Sequence, residues 1–456
     1  MTLRVVVIGC DATGASAAST VQRALGDDAH VLVLERQQWT SYSACGIPYW
    51  VAGEVDGPDT LIARTPEQHR RNGLDLRTGV EVTSIDLAAQ TVTARYLTSG
   101  SQHTHPYDHL VIATGAKPIR PPLEGIALPG VHGIQTMDDG MATLDSLHEG
   151  AKRAVVVGAG YIGIEMAEAM LSRGLEVRVL DKAPQPMSTL DPDMGRLIAD
   201  QMGQMGIPYH GGEPVASLEE GADGRVALVR TATEAYPADV VVLGLGVRPN
   251  ARLAREAGLP LGEHGGILTN DRMQVQGHEN IWAGGDCVEV LDRTAGMYRH
   301  VPLGTHANKH GRIIGTNLGG GDLRFPGVVG TAVSKILHLE ISRVGLRTAE
   351  AAELGFDPVS AVIEASTRAH YFPGSGDIHV KVIADRGTGR LLGCQIVGLA
   401  EGAGKRIDAA AVAMWHELTV EEVTNLDLAY APPFSPVWDP VQIAARRVAG
   451  LLQRAR

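Results

Sequence analysis

Two stretches of the chain carry the same pattern of apolar and polar positions. Leu3–Ile8 is apolar except at Arg4 and runs into Gly9-Cys10-Asp11-Ala12-Thr13-Gly14. A small-residue segment, Ala15–Leu25, follows, and then a second apolar run, His30–Leu34, that ends on Glu35. The pattern returns at Arg153–Val157, with Gly158-Ala159-Gly160-Tyr161-Ile162-Gly163, the segment Ile164–Arg173, and the run Glu176–Leu180 ending on Asp181. Short continuous apolar runs bounded by turn residues predict strands buried on both faces, and the segment between them has helical spacing. Each stretch therefore reads as a βαβ unit of a doubly wound α/β fold. Gly9 to Glu35 spans 26 positions and Gly158 to Asp181 spans 23, against the ~20 expected between a glycine turn and its acid in a dinucleotide-binding unit. Backbone N–H groups at the start of such a helix suit a pyrophosphate, and the acid suits ribose hydroxyls.

The two turns differ where Asp11 stands in place of a glycine. A side chain there crowds a pyrophosphate and a carboxylate repels it. Either Asp11 turns away, or a water or counter-charge intervenes. Further along, Tyr107–Gly115, Ala238–Pro249 and Asn280–Asp286 read as buried strands ending on glycine. From about residue 327 the texture changes to alternating strands, including His379–Ala384 and Leu391–Val397. An alanine-rich helix near Asp408–Glu417 and a proline-punctuated tail, Ala429–Phe434, complete an α+β region with no nucleotide motif.

At 456 residues and 48.2 kDa the chain has room for about three domains of ordinary size. A 44% hydrophobic and 20% charged composition excludes bulk disorder. The net charge of −12, with no basic run, argues against nucleic acid and anionic membranes as partners. No apolar stretch approaches the ~18 residues that a membrane span needs, and the N-terminus lacks a signal-peptide pattern. The four cysteines, Cys10, Cys45, Cys287 and Cys394, form no Cys-x-x-Cys pair. That spacing excludes a zinc knuckle and a disulfide framework and implies a reducing, cytoplasmic location. His306 and His310 are four apart, but no third ligand follows, so no metal is expected.

The two glycine turns, Ala113-Thr114-Gly115, Gly158–Glu165 and Gly284-Gly285-Asp286 occur in the order found in the FAD-dependent pyridine nucleotide-disulfide oxidoreductases, and the whole chain resembles that family. The resemblance implies two Rossmann-like nucleotide-binding domains and a C-terminal dimerisation domain. FAD would lie in 1–117 with 248–326, NAD(P)H in 118–247, and the homodimer interface in 327–456. The implied cofactor-binding residues are Gly9, Asp11, Ala12, Gly14, Glu35, Arg36, Ser43, Val82, Ala113, Thr114, Gly115, Gly158, Gly160, Tyr161, Ile162, Gly163, Glu165, Asp181, Gly246, Gly285, Asp286 and Ala307. Asp181 favours NADH over NADPH by repelling a 2′-phosphate, an effect that Lys182 partly offsets.

The segment Ser41-Tyr42-Ser43-Ala44-Cys45-Gly46-Ile47-Pro48-Tyr49 has one cysteine, with Trp50 where a second would stand. It resembles the single-cysteine branch: coenzyme A disulfide reductase, NADH oxidase and NADH peroxidase. A helix starting within Ser43–Pro48 is expected to favour the Cys45 thiolate. Either Cys45 exchanges with a disulfide such as that of coenzyme A, or it cycles through a sulfenic acid as an oxidase or peroxidase. A further alternative is a non-catalytic flavin-bound redox sensor. Ala12 stands where the oxidases and peroxidases of the family carry a histidine. Tyr371 and Tyr430 match tyrosines that coenzyme A disulfide reductases bring from the partner subunit, which makes Cys45, Tyr371 and Tyr430 the implied catalytic set. Ser16, Thr20, Arg23, Ser41 and His306 match substrate contacts, with Arg70 and Arg71 as a further cationic pair for phosphates. Two positions depart from the reductase pattern: Ala44 replaces an asparagine, and Trp438 falls where a lysine is expected. Cys10, Cys287 and Cys394 read as packing residues.

Overall fold

The computed structural model describes residues 2–454. Both repeated stretches form the central strands of parallel five-stranded sheets. In the first, Leu3–Ile8 lies between Ala29–Leu34 and His109–Ile112, and Asp75–Arg77 and Ile281–Ala283 form the edges. In the second, Arg153–Val157 lies between Glu176–Asp181 and Val240–Leu243, flanked by Tyr209–Gly211 and Val131–Gly133. Helices on the sheet faces bury the valine-rich central strands, which is why those strands are apolar throughout instead of alternating. The third sheet is antiparallel and runs Ala332–Ile336, Leu339–Gly345, Leu391–Gly398, Asp377–Asp385, Pro358–Ser366. The helix expected near Asp408–Glu417 spans Ile407–Trp415.

The chain leaves the first sheet through Ala116–Pro118 and returns through Val247–Pro249, and these two strands pair antiparallel. Asn250 locks the crossing: its Nδ2 donates to the Thr114 carbonyl at 3.0 Å and its carbonyl accepts from Thr114 Oγ1 at 2.7 Å. The N-terminal helix Ala12–Leu25 packs on the helix Gly304–Leu318 at close range. A β-carbon on Gly311 would stand 2.4 Å from the Thr13 carbonyl oxygen, and one on Gly315 would stand 2.5 Å from Thr20 Cβ. Any side chain at either position would force the helices apart.

The short helix Ile47–Ala52 follows the first βαβ unit in sequence but is not buried there. Ile47, Trp50 and Val51 join the core built from Met166, Met170 and the second sheet, which also takes in Ile336, Leu339 and Ile341 of the third. A polar clamp adds to this junction. Asp191, at the start of the helix Pro192–Gln204, accepts from Lys381 Nζ at 2.9 Å and from Thr348 Oγ1 at 2.6 Å, while its N–H donates to Gln395 Oε1 at 2.8 Å. Asp191, Lys381 and Gln395 are all buried, so water cannot readily replace these partners. Asp191→Ala is expected to cost about 3 kcal/mol, the low end for breaking a buried ion pair, because Asp193 still reaches Lys381 at 2.8 Å. Urea unfolding measures it; a loss no larger than the roughly 1 kcal/mol of a surface pair would show that the clamp holds little.

Candidate active site

Both glycine turns are built alike. Gly9 and Gly158 have φ near +98° and +96°, which favours glycine. A β-carbon on Gly14 would stand 1.9 Å from the Gly9 carbonyl oxygen, and one on Gly163 would stand 2.0 Å from that of Gly158. The acid at the end of the second strand closes each turn. Glu35 Oε2 accepts the Cys10 N–H at 2.7 Å and Oε1 that of Gln37 at 2.8 Å. Asp181 Oδ2 accepts the Ala159 N–H at 2.7 Å and Oδ1 that of Ala183 at 2.9 Å. Burial raises the Glu35 carboxyl above its ordinary pKa.

The middle position decides what each turn can hold. A β-carbon on Gly160 would meet no heavy atom within 4 Å, so the second turn opens onto free space at the N-terminus of the helix Tyr161–Ser172. The residues there fit a dinucleotide pyrophosphate. In the first turn Asp11 fills the equivalent place, with its carboxyl against the backbone N–H groups of Tyr42 and Ala12. Asp11 thus sits between the cysteine loop on one side and the start of the helix Ala12–Leu25 on the other. Burial and the neighbouring Glu35 and Asp286 push its pKa up to about 7, and burial raises Asp286 to about 6. Around this turn Thr13 Oγ1 donates to the Ala307 carbonyl at 2.8 Å, and the Gly285 N–H donates to His310 Nδ1 at 3.1 Å. Ala12, Ala113, Thr114, Gly115, Gly285 and Asp286 thus stand at the mouth of the first sheet, while Val82 is buried in a neighbouring strand and Arg36 is exposed.

Cys45 lies in a short turn, Ala44–Gly46, that leads directly into Ile47–Ala52. The loop is pinned from both sides. Ser41 donates its N–H to the Cys10 carbonyl at 3.1 Å, Ala63 donates to the Ser41 carbonyl at 2.8 Å, and Ser43 donates to the Leu61 carbonyl at 2.8 Å. Gly46 passes so close to Leu61 that a β-carbon would stand 2.4 Å from Leu61 Cδ2. The Cys45 residue is exposed, whereas Cys10, Cys287 and Cys394 are buried and burial raises each of their thiols.

The expectation of a favoured Cys45 thiolate is corrected here. Crowding by surrounding protein raises the Cys45 pKa, and Glu165, Asp286 and Asp11 raise it further. The helix that follows has only six residues, and burial is the largest influence against the thiolate. Glu165 comes from the second unit, where Ser334 Oγ donates to it at 2.8 Å, and burial raises its pKa. Cys45 is thus flanked by acids from both nucleotide turns.

The other sequence candidates divide into groups. Ser16, Thr20 and Arg23 share one stripe of the N-terminal helix, and Arg23 Nη2 donates to Thr20 Oγ1 at 3.0 Å. Ser16 and Thr20 also face the glycines of Gly304–Leu318, so they edge a helix contact. His306 Nδ1 lies 3.3 Å from the Val301 carbonyl, and its ring stacks on His310 at 6.5 Å. No group of metal-ligating side chains occurs among the described residues. Arg70 directs its Nε to the Leu76 carbonyl at 2.9 Å, and both Arg70 and Arg71 are exposed. Tyr161, Ile162 and Gly246 border the second turn, with Gly246 at φ +83°. Tyr371 and Tyr430 are remote from the acids around Cys45 in sequence and exposed, at 68% and 49%, as are Phe434, Val437 and Trp438.

Thr13, Asn250, Ser334 and His69 were not marked as site residues by the sequence, and His310, considered there only as a metal ligand, instead accepts the Gly285 N–H. His69 is buried and bonds to Ser41. Only Thr13, inside the glycine turn, carried a local signal.

Comparison with known proteins places the chain among relatives. A family model described as pyridine nucleotide-disulphide oxidoreductase matches residues 3–311, and the dimerisation domain of the same family matches 331–440. An NAD(P)H coenzyme A polysulfide/persulfide reductase of Pyrococcus horikoshii is 38% identical over 449 residues, 98% of each chain. An NADH oxidase of Methanocaldococcus jannaschii is 38% identical over 448 residues, 97% of this chain and 98% of the relative. Among solved structures, an NAD-dependent persulfide reductase from A. fulgidus has a TM-score of 0.95 at 38% identity, covering 99% of this chain and 84% of that one.

The Asp11 environment sets a pH dependence. Folded, the carboxyl keeps its proton up to about pH 7, against an ordinary value of 3.8. Stability is therefore lost as pH rises through that window. Asp11→Asn should be the more stable protein at pH 8, by at most a few kcal/mol, with the advantage vanishing near pH 4. Thermal melts of the cofactor-free proteins against pH test this, and parallel curves would contradict it.

Proposed function

The chain belongs to the pyridine nucleotide-disulphide oxidoreductase family, and on that premise we propose an NAD(P)H-driven flavoprotein that reduces a coenzyme A disulfide, persulfide or polysulfide through Cys45. The observation that carries this reading is one exposed cysteine set among groups from both glycine turns, with no second cysteine beside it. FAD, when bound, supplies the two-electron relay between nicotinamide and sulfur.

The domain division we propose is 1–117 with 248–326 for FAD, 118–247 for NAD(P)H and 327–456 for dimerisation. Pairing of Ala116–Pro118 with Val247–Pro249 supports the first two boundaries, and the match of the dimerisation model to 331–440 supports the third. The turn Gly9–Gly14 with Glu35, Ser43, Thr114 and Asp286 is the proposed FAD cradle. Gly158–Gly163 with Glu165, Asp181 and Gly246 is the proposed nicotinamide-dinucleotide cradle.

The sulfur chemistry belongs to Cys45. Its thiolate attacks one sulfur of the substrate disulfide, forming a mixed disulfide and releasing the other half as a thiolate. Two electrons then cleave the mixed disulfide, returning Cys45 as thiolate and freeing the second thiol. Ser16, Thr20, Arg23, Ser41, Arg70, Arg71 and His306 are the proposed substrate contacts. The exposure of Tyr371 and Tyr430 fits phenols that complete the partner's site in a homodimer. No helix of the described residues is long and apolar enough to cross a membrane, and four free cysteines accord with the cytoplasmic location we propose.

A second reading, an oxidase working through a Cys45 sulfenic acid, is favoured by the name of the M. jannaschii relative. Ala12 in the first turn, lacking an imidazole, weighs against it. Intact mass of the isolated protein separates the two: a thiol-removable coenzyme A adduct on Cys45 supports the reductase, and added oxygen supports the oxidase.

Cys45→Ser should abolish disulfide reduction while leaving flavin binding and its reduction by NADH intact. Reduction of coenzyme A disulfide by this variant at the wild-type rate would end the single-cysteine mechanism. NADH should be modestly preferred, because Asp181 repels a 2′-phosphate. Asp181→Ala should move the kcat/KM ratio toward NADPH, and an unchanged ratio would show that the acid, tied to two backbone N–H groups, does not discriminate.

A further inference from the structure

His69 sits in the helix Pro66–Arg71 and is almost fully buried, at 1% exposure. Its Nε2 lies 2.9 Å from Ser41 Oγ, and its Nδ1 is buried without a hydrogen-bond partner among the described residues. Ser41 adopts a left-handed backbone, φ +47°, which is unusual for a residue with a side chain. Its backbone is held at both ends by the Cys10 carbonyl and the Ala63 N–H. With that backbone fixed, His69 is the side chain that sets where the hydroxyl points.

Burial and the nearby Arg64 hold the imidazole down at about 4, so it is neutral at physiological pH and carries one ring proton. On Nδ1, that proton would be a buried donor with no acceptor among the described residues. On Nε2, only a lone pair is left unpaired, the less costly arrangement. Nε2 therefore donates to Ser41 Oγ. The hydroxyl, having accepted from one side, has its own proton directed away from His69.

We propose that His69 is a positioning residue that fixes the Ser41 hydroxyl as a hydrogen-bond donor to a negatively charged group of the substrate. This rests on the reading of Ser41 as a substrate contact on the loop of Cys45. The charge is a thiolate or a phosphate, and both are met by a donor on this loop. A serine left free to rotate would satisfy itself on local backbone or water and offer no fixed donor.

The test uses the FAD-loaded protein with coenzyme A disulfide. His69→Phe keeps the ring volume and removes the donor, and His69→Gln puts an amide nitrogen near the Nε2 position. His69→Phe should raise KM about fivefold, the scale of one net hydrogen bond, with flavin reduction by NADH unchanged. Ser41→Ala should do the same, the double variant should be no worse than either, and His69→Gln should restore most of the loss. An unchanged KM in His69→Phe, or losses that multiply in the double variant, would overturn the proposal. Pantethine, a related disulfide without phosphates, separates the sources of charge: an effect that persists assigns the thiolate, and one that disappears assigns a phosphate. Nitrogen-15 NMR of labelled histidines, with His69 assigned by its loss in His69→Gln, reads the tautomer directly. A proton on Nε2 is expected, and one on Nδ1 refutes the pair even if a variant fails to fold. A wild-type protein that reduces neither disulfide would instead count against the functional reading.

Discussion

Each glycine turn depends on a carboxylate that takes the N–H of the residue after its first glycine. The distance is 2.7 Å for Glu35 with Cys10 and 2.7 Å for Asp181 with Ala159. Without an acceptor those N–H groups would be stranded at the end of a buried strand, so the acid is part of the turn before it is part of any binding site. The bond fixes the second strand against the first at the point where the chain reverses. The close passages of Gly14 over Gly9 and of Gly163 over Gly158 follow from it. So does the open space before Gly160, where an anion can meet the helix N-terminus.

The second organising constraint is the burial of Ile47, Trp50 and Val51 in the core of the other nucleotide unit. That packing carries Cys45 away from its own sheet to the seam between the two turns. Arg173 strengthens the seam, donating to the Val51 carbonyl at 2.6 Å. A cysteine placed this way is held by the relative position of two units, and the Asp191–Lys381 clamp ties one of those units to the C-terminal sheet.

How much of this was legible in the sequence depends on the range of the interaction. The central strands and their acids could be read because continuous apolar runs, glycine turns and a fixed spacing are local signals. The environment of Cys45 could not. Glu165 and Asp286 approach it from distant parts of the chain, and a local helix start gave the opposite expectation for the thiol. His69 stood in a polar stretch, Thr65–Arg71, with nothing to mark it as buried or as the partner of Ser41. Asp11 was legible as an anomaly, but its direction depended on Tyr42, fixed only once the loop is folded.

The antiparallel pair formed by Ala116–Pro118 and Val247–Pro249 brings the two ends of an entire nucleotide unit side by side. A segment that begins and ends at one point has the geometry of an insertion, so its exchange between relatives asks nothing of the first sheet. Such a cassette would still need to carry a matching pocket for Trp50 and an acid for Lys381. The unit's fit is therefore set mainly at its far faces, where it meets the cysteine helix and the C-terminal sheet.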